Sequence, residues 1–224
     1  MNLVHADQER NIRNAMVKHK LNLMFLDYDK IFRIINGVAA YANKGAPPSC
    51  LFYNVTGALI LSSIYKIDAR PVLGAAFIKV NTDTDFALAF ADSDYESCSS
   101  NTNGFHCWIE TPTHIIDFTA PIYSEYPNST QLPKLMFQKH KSEMSNSHFE
   151  LDSAGDFFFK PNIPLTIDRL KAGFQDTKFN DFAQIALDWS KNSTKKLLNQ
   201  MKIQADDGEV IELNASKINL TGSW

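Results

Sequence analysis

The sequence predicts an α+β protein, because helical patterns come first along the chain and strand patterns follow them. Helices are expected over residues 7–25 and 28–43, the second with apolar residues at helical spacing and Asp27 as its N-cap. A further helix is expected in "CLFYNVTGALILSSIYK", from residue 50. Strand-like segments then follow at 69–80, 85–91, 105–110 and 114–119.

The helix that starts at residue 50 is predicted to be buried and central. Its apolar residues surround most of the circumference, as expected for a helix enclosed by the core; they are Leu51, Phe52, Val55, Ala58, Leu59, Ile60, Leu61 and Ile64. Pro47 and Pro48 force an extended approach, since each proline fixes its own φ and disfavours helix at the residue before it. This places Ser49 at the N-cap and Cys50 at the first helical position.

Residues 121–224 are less informative. We expect a hairpin in "SHFELDSAGDFFFKP" around Ser153 to Gly155, a helix over 178–203, and a turn and strand in "DDGEVIEL". No repeat or low-complexity linker divides the chain. The sequence therefore predicts one domain over 1–224, with a core at about 28–120 and a C-terminal extension at about 121–224.

Composition excludes several classes of protein. The net charge is −3, with 22 basic and 25 acidic residues and no basic block, so a nucleic-acid partner is not expected. No apolar run approaches the roughly 18 residues that cross a bilayer. Three cysteines are too few for a disulfide framework and favour a reducing compartment. We expect a soluble, cytoplasmic protein with no membrane partner; the 16 phenylalanines leave self-association into a homo-oligomer open.

The stretch "FHCWIETPTHIIDFT" carries a histidine and an aspartate that a hairpin would place together. With a two-residue loop of Pro112-Thr113, or alternatively of Thr111-Pro112, His106 and Asp117 lie on one face as diagonal or direct neighbours, about 5 to 8 Å apart at Cβ. A three-residue loop would instead place them on opposite faces. Pro at the second turn position favours the first register. The face that carries this pair is expected to border a cleft.

An aspartate beside a histidine fixes the imidazole tautomer and stabilises the imidazolium, an arrangement that activates a nucleophile. Cys50 is the candidate nucleophile, because the positive end of the helix macrodipole favours a thiolate in the first turn. Ser49 competes for this role, but no G-x-S-x-G elbow surrounds it and capping accounts for it.

The order of these residues and their contexts, "HCWIE" and "IIDFT", resembles the transglutaminase-like branch of the papain-like cysteine enzymes, and most closely a bacterial family of unknown function in that clan. The resemblance covers roughly residues 30 to 120. It implies an α+β core in which the cysteine helix packs on an antiparallel sheet, and a catalytic triad of Cys50, His106 and Asp117. It also implies that an amide side chain near the cysteine helps the Cys50 N–H to stabilise an oxyanion, for which Asn43 and Asn54 are the candidates.

Other polar and aromatic residues are given simpler interpretations. Trp108 is the candidate cleft wall. A zinc site is not expected, since His106 and Cys107 point to opposite faces of a strand and no C-x-x-C or H-E-x-x-H motif is present. Cys98 and Cys107 are then a loop thiol and a core thiol.

The expected function is a cysteine-dependent hydrolase that cleaves an amide, a peptide or a related small molecule through an acyl-enzyme thioester, with no cofactor. Two alternatives stay open: an acyltransferase of the transglutaminase type, and a non-catalytic binding module on the same fold. A redox-sensing thiol protein that pairs Cys50 with Cys98 or Cys107 is a weaker third.

Overall fold

The computed structural model describes residues 23–43, 49–83, 87–92, 96–125, 132–204 and 208–224. The helices are α1 (Phe25–Asn43), α2 (Cys50–Ile60), α3 (Ile163–Gln175) and α4 (Thr177–Asn192). The strands are β1 (Arg70–Lys79), β2 (Ala87–Phe90), β3 (His106–Glu110), β4 (His114–Asp117), β5 (Leu135–His140), β6 (Phe157–Pro161), β7 (Gln200–Gln204), β8 (Val210–Asn214) and β9 (Gly222–Ser223). Nearly all of the helix predicted at 7–25 lies outside the described residues.

Of the two N-cap residues that the sequence predicted, one is confirmed and one is wrong. Ser49 caps α2 as predicted: its backbone is extended and its hydroxyl accepts from the Phe52 N–H. Asp27 is not the cap of α1, because the helix already begins at Phe25. Asp27 instead lies in the first turn and pairs with Lys30 at 3.0 Å. After Ile60 the chain continues through a π-helical turn, Leu61–Tyr65, which closes with Lys66 at a positive φ.

The main sheet has the strand order β2-β1-β3-β4-β5-β9, with β6 also paired to β1. All of these pairings are antiparallel except β5 with β9. Strand β3 pairs with the first half of β1 and β2 with its second half. The hairpin β7–β8 forms a separate two-stranded sheet. The fold is therefore α+β with a mostly antiparallel sheet and helices packed on it.

Alternation along β3 and β4 separates two layers of core. Ile109, Ile116 and Phe118 pack with the helices α1, α2 and α4, whereas Trp108 and Ile115 pack on the opposite side with Tyr123, Phe137, Phe157 and Phe159. Gly57 lets α2 approach the sheet closely, since a Cβ at this position would lie 2.3 Å from the Phe118 ring. This close packing holds the start of α2 against β3 and the end of β4.

Predictions for the C-terminal part were confirmed only in part. Residues 148–152 form no strand, so the predicted hairpin around Ser153 is wrong; its second arm, β6, pairs with β1 instead. The helix expected over 178–203 ends at Asn192, and residues 200–204 are strand β7, which pairs with the predicted final strand. Helix α3 was not predicted, although Asn162 is a regular N-cap and Pro164 occupies its first turn. Among the described residues, no helix has both the length and the apolar character needed to cross a membrane.

Candidate active site

The start of α2 presents Cys50 at the first helical position, as the sequence predicted. The thiol is free and half-buried, and it packs against an apolar cluster that contains Leu73, Cys107 and Leu165. The first N–H groups of a helix have no acceptor within the helix, so the Cys50 N–H points out of the first turn. The sulfur and this N–H therefore lie together at the positive end of α2.

The hairpin β3–β4 adopts the register favoured by Pro112. Ile109 pairs with Ile116, and Glu110 with Ile115. Thr111 closes the two-residue loop: its N–H donates to the His114 carbonyl oxygen at 2.9 Å. The same register sets His106 diagonally across from Asp117, as predicted.

His106 and Asp117 form a hydrogen-bonded ion pair. The distance from His106 Nε2 to Asp117 Oδ2 is 2.6 Å, and both side chains are 0% exposed. Burial alone would lower the pKa of His106, but the charge and the hydrogen bond of Asp117, together with Cys50, raise it to about 10. Burial alone would raise the pKa of Asp117; the charge and hydrogen bond of His106 outweigh it, aided by Tyr123 and Asn54, and the pKa is lowered. The pair is thus an imidazolium and a carboxylate.

The second nitrogen of His106 is the one available to Cys50. Nδ1 is buried and has no partner in hydrogen-bond geometry. Cys50 nevertheless contributes to the raised pKa of His106, so the thiol lies near the ring without a hydrogen bond to it. The structure therefore brings Cys50, His106 and Asp117 together in that order, with Asp117 on one side of the imidazole and the thiol as the other neighbour.

The carboxylate of Asp117 accepts hydrogen bonds at both oxygens. Oδ1 accepts from Asn54 Nδ2 at 2.8 Å and from the N–H and the hydroxyl of Thr119, both at 2.7 Å. Oδ2 accepts from Tyr123 at 2.5 Å, in addition to His106. A buried carboxylate with this number of donors stays ionised and fixed in orientation.

Of the two oxyanion candidates, only Asn54 has a described side chain, and it is not placed as a donor to a substrate. Asn54 is 0% exposed, and the acceptors of its two amide hydrogens are all internal: the carbonyl oxygens of Cys50 and Cys107, the Asp117 carboxylate and the Thr119 hydroxyl. Its own oxygen accepts from the Phe118 N–H at 3.0 Å. No hydrogen is left for an oxyanion, and we assign Asn54 to holding α2 on the hairpin. Asn43 is the last residue of α1, and its side chain lies outside the described part of the chain.

The face that carries the ion pair is covered instead of bordering a cleft. Phe90 stacks on the His106 ring with centroids 4.5 Å apart, and Tyr123 and Phe159 contact the ring edge-on. Trp108 is fully buried in the same layer, tilted against Phe159 at 4.9 Å, so its prediction as a cleft wall is wrong. The covering rings come from β2, β6 and the turn after β4, three segments that alternation within the hairpin could not reveal.

The structure contains two contacts of Asp117 that the sequence analysis missed. Tyr123 reaches the Asp117 carboxylate from a 3₁₀ turn, Ala120–Glu125, and the Tyr28 hydroxyl on α1 donates to the Asp117 carbonyl oxygen. Tyr123 lies only six residues after Asp117, and this proximity in the chain was the available signal. No such signal pointed to Tyr28, because Tyr28 is far from Asp117 in the sequence.

A family model described as a protein of unknown function, DUF2026, matches residues 24–224. The chain belongs to the DUF2026 family. A crystal structure described as that of "genomics APC5867" superposes on this DUF2026 chain with a TM-score of 0.81 and 29% sequence identity, and the match covers 92% of this chain and 98% of the other. No curated protein matches the sequence.

In this DUF2026 protein the other two thiols have different environments from Cys50. Burial raises the pKa of Cys107, and the charges of Cys50 and Asp117 raise it further. Burial also raises the pKa of Cys98, against a smaller opposing effect of Lys160. Both are thus poor nucleophiles. Within the described ranges, no group of three or more His, Cys, Asp or Glu side chains could hold a metal ion.

Proposed function

We propose that this protein is a cysteine-dependent hydrolase of amide or peptide bonds, built on a papain-like, transglutaminase-like core. The observation that carries the proposal is the asymmetry of His106: Nε2 is held by Asp117 at 2.6 Å, while the buried Nδ1 is unpaired beside the Cys50 thiol. A structural histidine in a core would be expected to use both ring nitrogens. A histidine that transfers a proton to and from a neighbouring thiol needs one of them free.

The resting site would hold a Cys50 thiolate opposite the His106 imidazolium. Asp117 stabilises the positive charge on the ring, and the positive end of α2 stabilises the negative charge on sulfur. His106 and Asp117 are fully buried and Cys50 is half-buried, so the substrate reaches the sulfur from the protein surface. His106 delivers its proton from the buried side of the sulfur. In the first step, the thiolate forms a bond to the substrate carbonyl carbon and the carbonyl oxygen becomes an oxyanion.

The Cys50 N–H is the oxyanion donor that α2 supplies, and Asn43 remains the proposed side-chain donor. As the tetrahedral intermediate collapses, the carbon–nitrogen bond breaks. His106 gives its proton to the departing amine, and an acyl thioester remains on Cys50. Asp117 keeps the ring oriented during this transfer and stays ionised.

Acylation changes the basicity of His106. The thioester carries no charge and no longer favours the imidazolium, so the contribution of Cys50 to the raised pKa of His106 is lost. The neutral ring then accepts a proton from water, the resulting hydroxide attacks the thioester carbon, and the carbon–sulfur bond breaks. Thiolate and imidazolium are regenerated together with a carboxylic acid.

An acyl-transfer test needs no knowledge of the natural substrate. We expect 4-nitrophenyl acetate to give a burst of one equivalent of nitrophenolate, and intact-protein mass spectrometry to find one acetyl group, located on Cys50. Cys50→Ala should abolish the burst and the label, whereas Cys98→Ala should retain both. A burst that survives in Cys50→Ala would overturn the proposal.

The fate of the acyl group separates hydrolysis from transfer. After acetylation, the label should decay in water at a rate that added primary amine leaves nearly unchanged. Decay that accelerates in proportion to amine concentration, with the acetylated amine as product, would show that the enzyme is an acyltransferase instead.

A further inference from the structure

Tyr123 lies at the far end of the proposed triad. The side chain is 0% exposed, and its hydroxyl donates to Asp117 Oδ2 at 2.5 Å. This is the same oxygen that accepts from His106 Nε2. The Tyr123 ring also packs edge-on against the His106 ring, with centroids 6.1 Å apart. One residue therefore contacts both members of the ion pair.

We propose that Tyr123 is a positioning residue of the site, which fixes Asp117 Oδ2 toward His106 and thereby sets the pH range over which Cys50 is reactive. The inference rests on the proposed function, because it assigns a role within the same triad. Tyr123 acts through Asp117, to which its hydroxyl donates a hydrogen bond.

The geometry explains why a second donor on Oδ2 has an effect. A hydrogen bond from Tyr123 holds part of the charge of this oxygen, so the carboxylate is a weaker base and is held in one orientation. Without the hydroxyl, Asp117 would take up a proton at higher pH, and the buried imidazolium would then lose its counter-charge and give up its own proton. A neutral ring no longer stabilises the Cys50 thiolate, so on acidification the thiolate would be lost at a higher pH.

Other ionisable groups also lie near Asp117. They are Tyr28 from α1, and His106 and Cys107 from β3. Cys50 from α2 lies beside His106 and Cys107. Tyr28 donates to the backbone carbonyl oxygen of Asp117 and not to its carboxylate. From the neighbouring strand β5, the residue paired with Asp117 is the apolar Phe137.

The difference between the two tyrosines provides a matched pair of variants. Tyr123→Phe and Tyr28→Phe each remove one buried hydroxyl that contacts Asp117, but only the first contact is with the carboxylate. We would measure the rate of Cys50 alkylation by iodoacetamide from pH 4 to 9, by mass spectrometry of the Cys50 peptide, for both variants, the wild type and His106→Ala. Near-ultraviolet circular dichroism checks that each protein is folded.

We expect the acid midpoint of the alkylation profile to move to higher pH by about one unit in Tyr123→Phe, the size of shift expected from losing one hydrogen bond to a charged group. Tyr28→Phe should leave the midpoint where it is in the wild type. An unchanged midpoint in Tyr123→Phe, or an equal shift in both variants, would overturn the proposal, since a general loosening of the core would not distinguish the two hydroxyls.

Failure of this inference is distinguishable from failure of the proposed function. If His106→Ala has the wild-type profile, the ion-pair mechanism itself is wrong. If His106→Ala loses the acid midpoint but Tyr123→Phe does not shift it, only the role of Tyr123 is wrong.

A measurement on the wild type covers the case in which Tyr123→Phe does not fold. In proton NMR spectra, the His106 Nε2–H and the Tyr123 hydroxyl should both be slowly exchanging downfield resonances, joined by a nuclear Overhauser effect because they bond to one oxygen. A His106 resonance with no hydroxyl proton beside it would overturn the assignment.

Discussion

Asn54 Nδ2 on α2 lies 2.8 Å from Asp117 Oδ1 at the end of β4. The same amide reaches the Cys107 carbonyl oxygen at 2.7 Å, so a single side chain ties the helix that carries Cys50 to both strands of the hairpin. Asn54 follows Cys50 by one helical turn and therefore lies beneath it on the same face. The relative placement of the Cys50 thiol and the His106 ring depends on this contact.

Replacing Asn54 by alanine should destabilise the protein by about 3 kcal/mol, because several buried acceptors would lose their donor together. Urea unfolding followed by fluorescence measures the change. Asn192→Ala, at the exposed end of α4, is the control and should stay within about 0.5 kcal/mol of the wild type. A small effect of Asn54→Ala would contradict the assigned structural role.

The pH dependence of stability should report the buried ion pair. The pKa of His106 is raised to about 10, so its contribution is complete below about pH 6.5, the ordinary value, and is lost as the pH rises toward 10. The pKa of Asp117 is lowered, so its contribution is present above its ordinary value and is lost on further acidification. We expect the pair to contribute fully between about pH 4 and 6.5.

Asp117→Asn isolates this contribution. Between pH 6.5 and 10 the wild type should lose unfolding free energy relative to the variant, with a slope of up to about 1.4 kcal/mol per pH unit, the value for one proton. In the variant, burial without the carboxylate disfavours the imidazolium, so its stability should instead rise as the pH passes from 5 to 7. Parallel curves for the two proteins would argue that His106 is not charged in the folded state.

The three thiols should differ in reactivity with iodoacetamide at pH 7. Cys50 is half-buried beside an imidazolium, while burial raises the pKa of both Cys98 and Cys107. Peptide mapping should find alkylation at Cys50 alone in the folded protein and at all three cysteines in urea. Under mild oxidation, a reversible disulfide from Cys50 to Cys98 or Cys107 would instead favour the redox-sensor hypothesis.

Asn43 tests the oxyanion prediction that the sequence made. If its amide is the donor, Asn43→Ala should slow acetylation of Cys50 by about 10² to 10³-fold and leave the unfolding free energy nearly unchanged. The contrast with Asn54→Ala, which should primarily affect stability, separates a donor from a structural amide. An acetylation rate equal to that of the wild type would remove Asn43 from the site.

Trp108 should behave as a core residue. Trp108→Phe is expected to cost about 2 kcal/mol, less than the roughly 3–5 kcal/mol of truncating a buried aromatic ring to alanine, with no change in Cys50 alkylation. Phe149→Ala, where the ring is 72% exposed, is the control for aromatic loss at the surface. A change in acylation specificity without loss of stability would restore the cleft-wall interpretation.

Short-range patterns in the sequence were sufficient for the elements that build the site. The prolines and Ser49 predicted where α2 begins, since φ restriction and capping act over a few residues, and Ser49 does cap the helix. Pro112 fixed the hairpin register, and period-two alternation then placed His106 and Asp117 on one face. The α3 helix was accessible to the same reasoning through Asn162 and was overlooked.

Alternation assigns each side chain to a face but cannot say what covers that face. Phe90, Tyr123 and Phe159 come from separate segments and turn the expected cleft side into core, so both Trp108 and His106 are enclosed. For the same reason, spacing alone could not show whether the Asn54 amide donates to an oxyanion or holds α2 on the hairpin.

The sequence by itself determined the helix start at Cys50, the hairpin and the shared face of His106 and Asp117, because each follows from local backbone sterics and the two-residue period of a strand. Only the tertiary structure decided that the pair is fully buried, that Asn54 and Tyr123 donate to its carboxylate, and that one nitrogen of His106 stays free beside the thiol. These outcomes depend on contacts between residues far apart in the chain, whose energies exist only once the elements have packed.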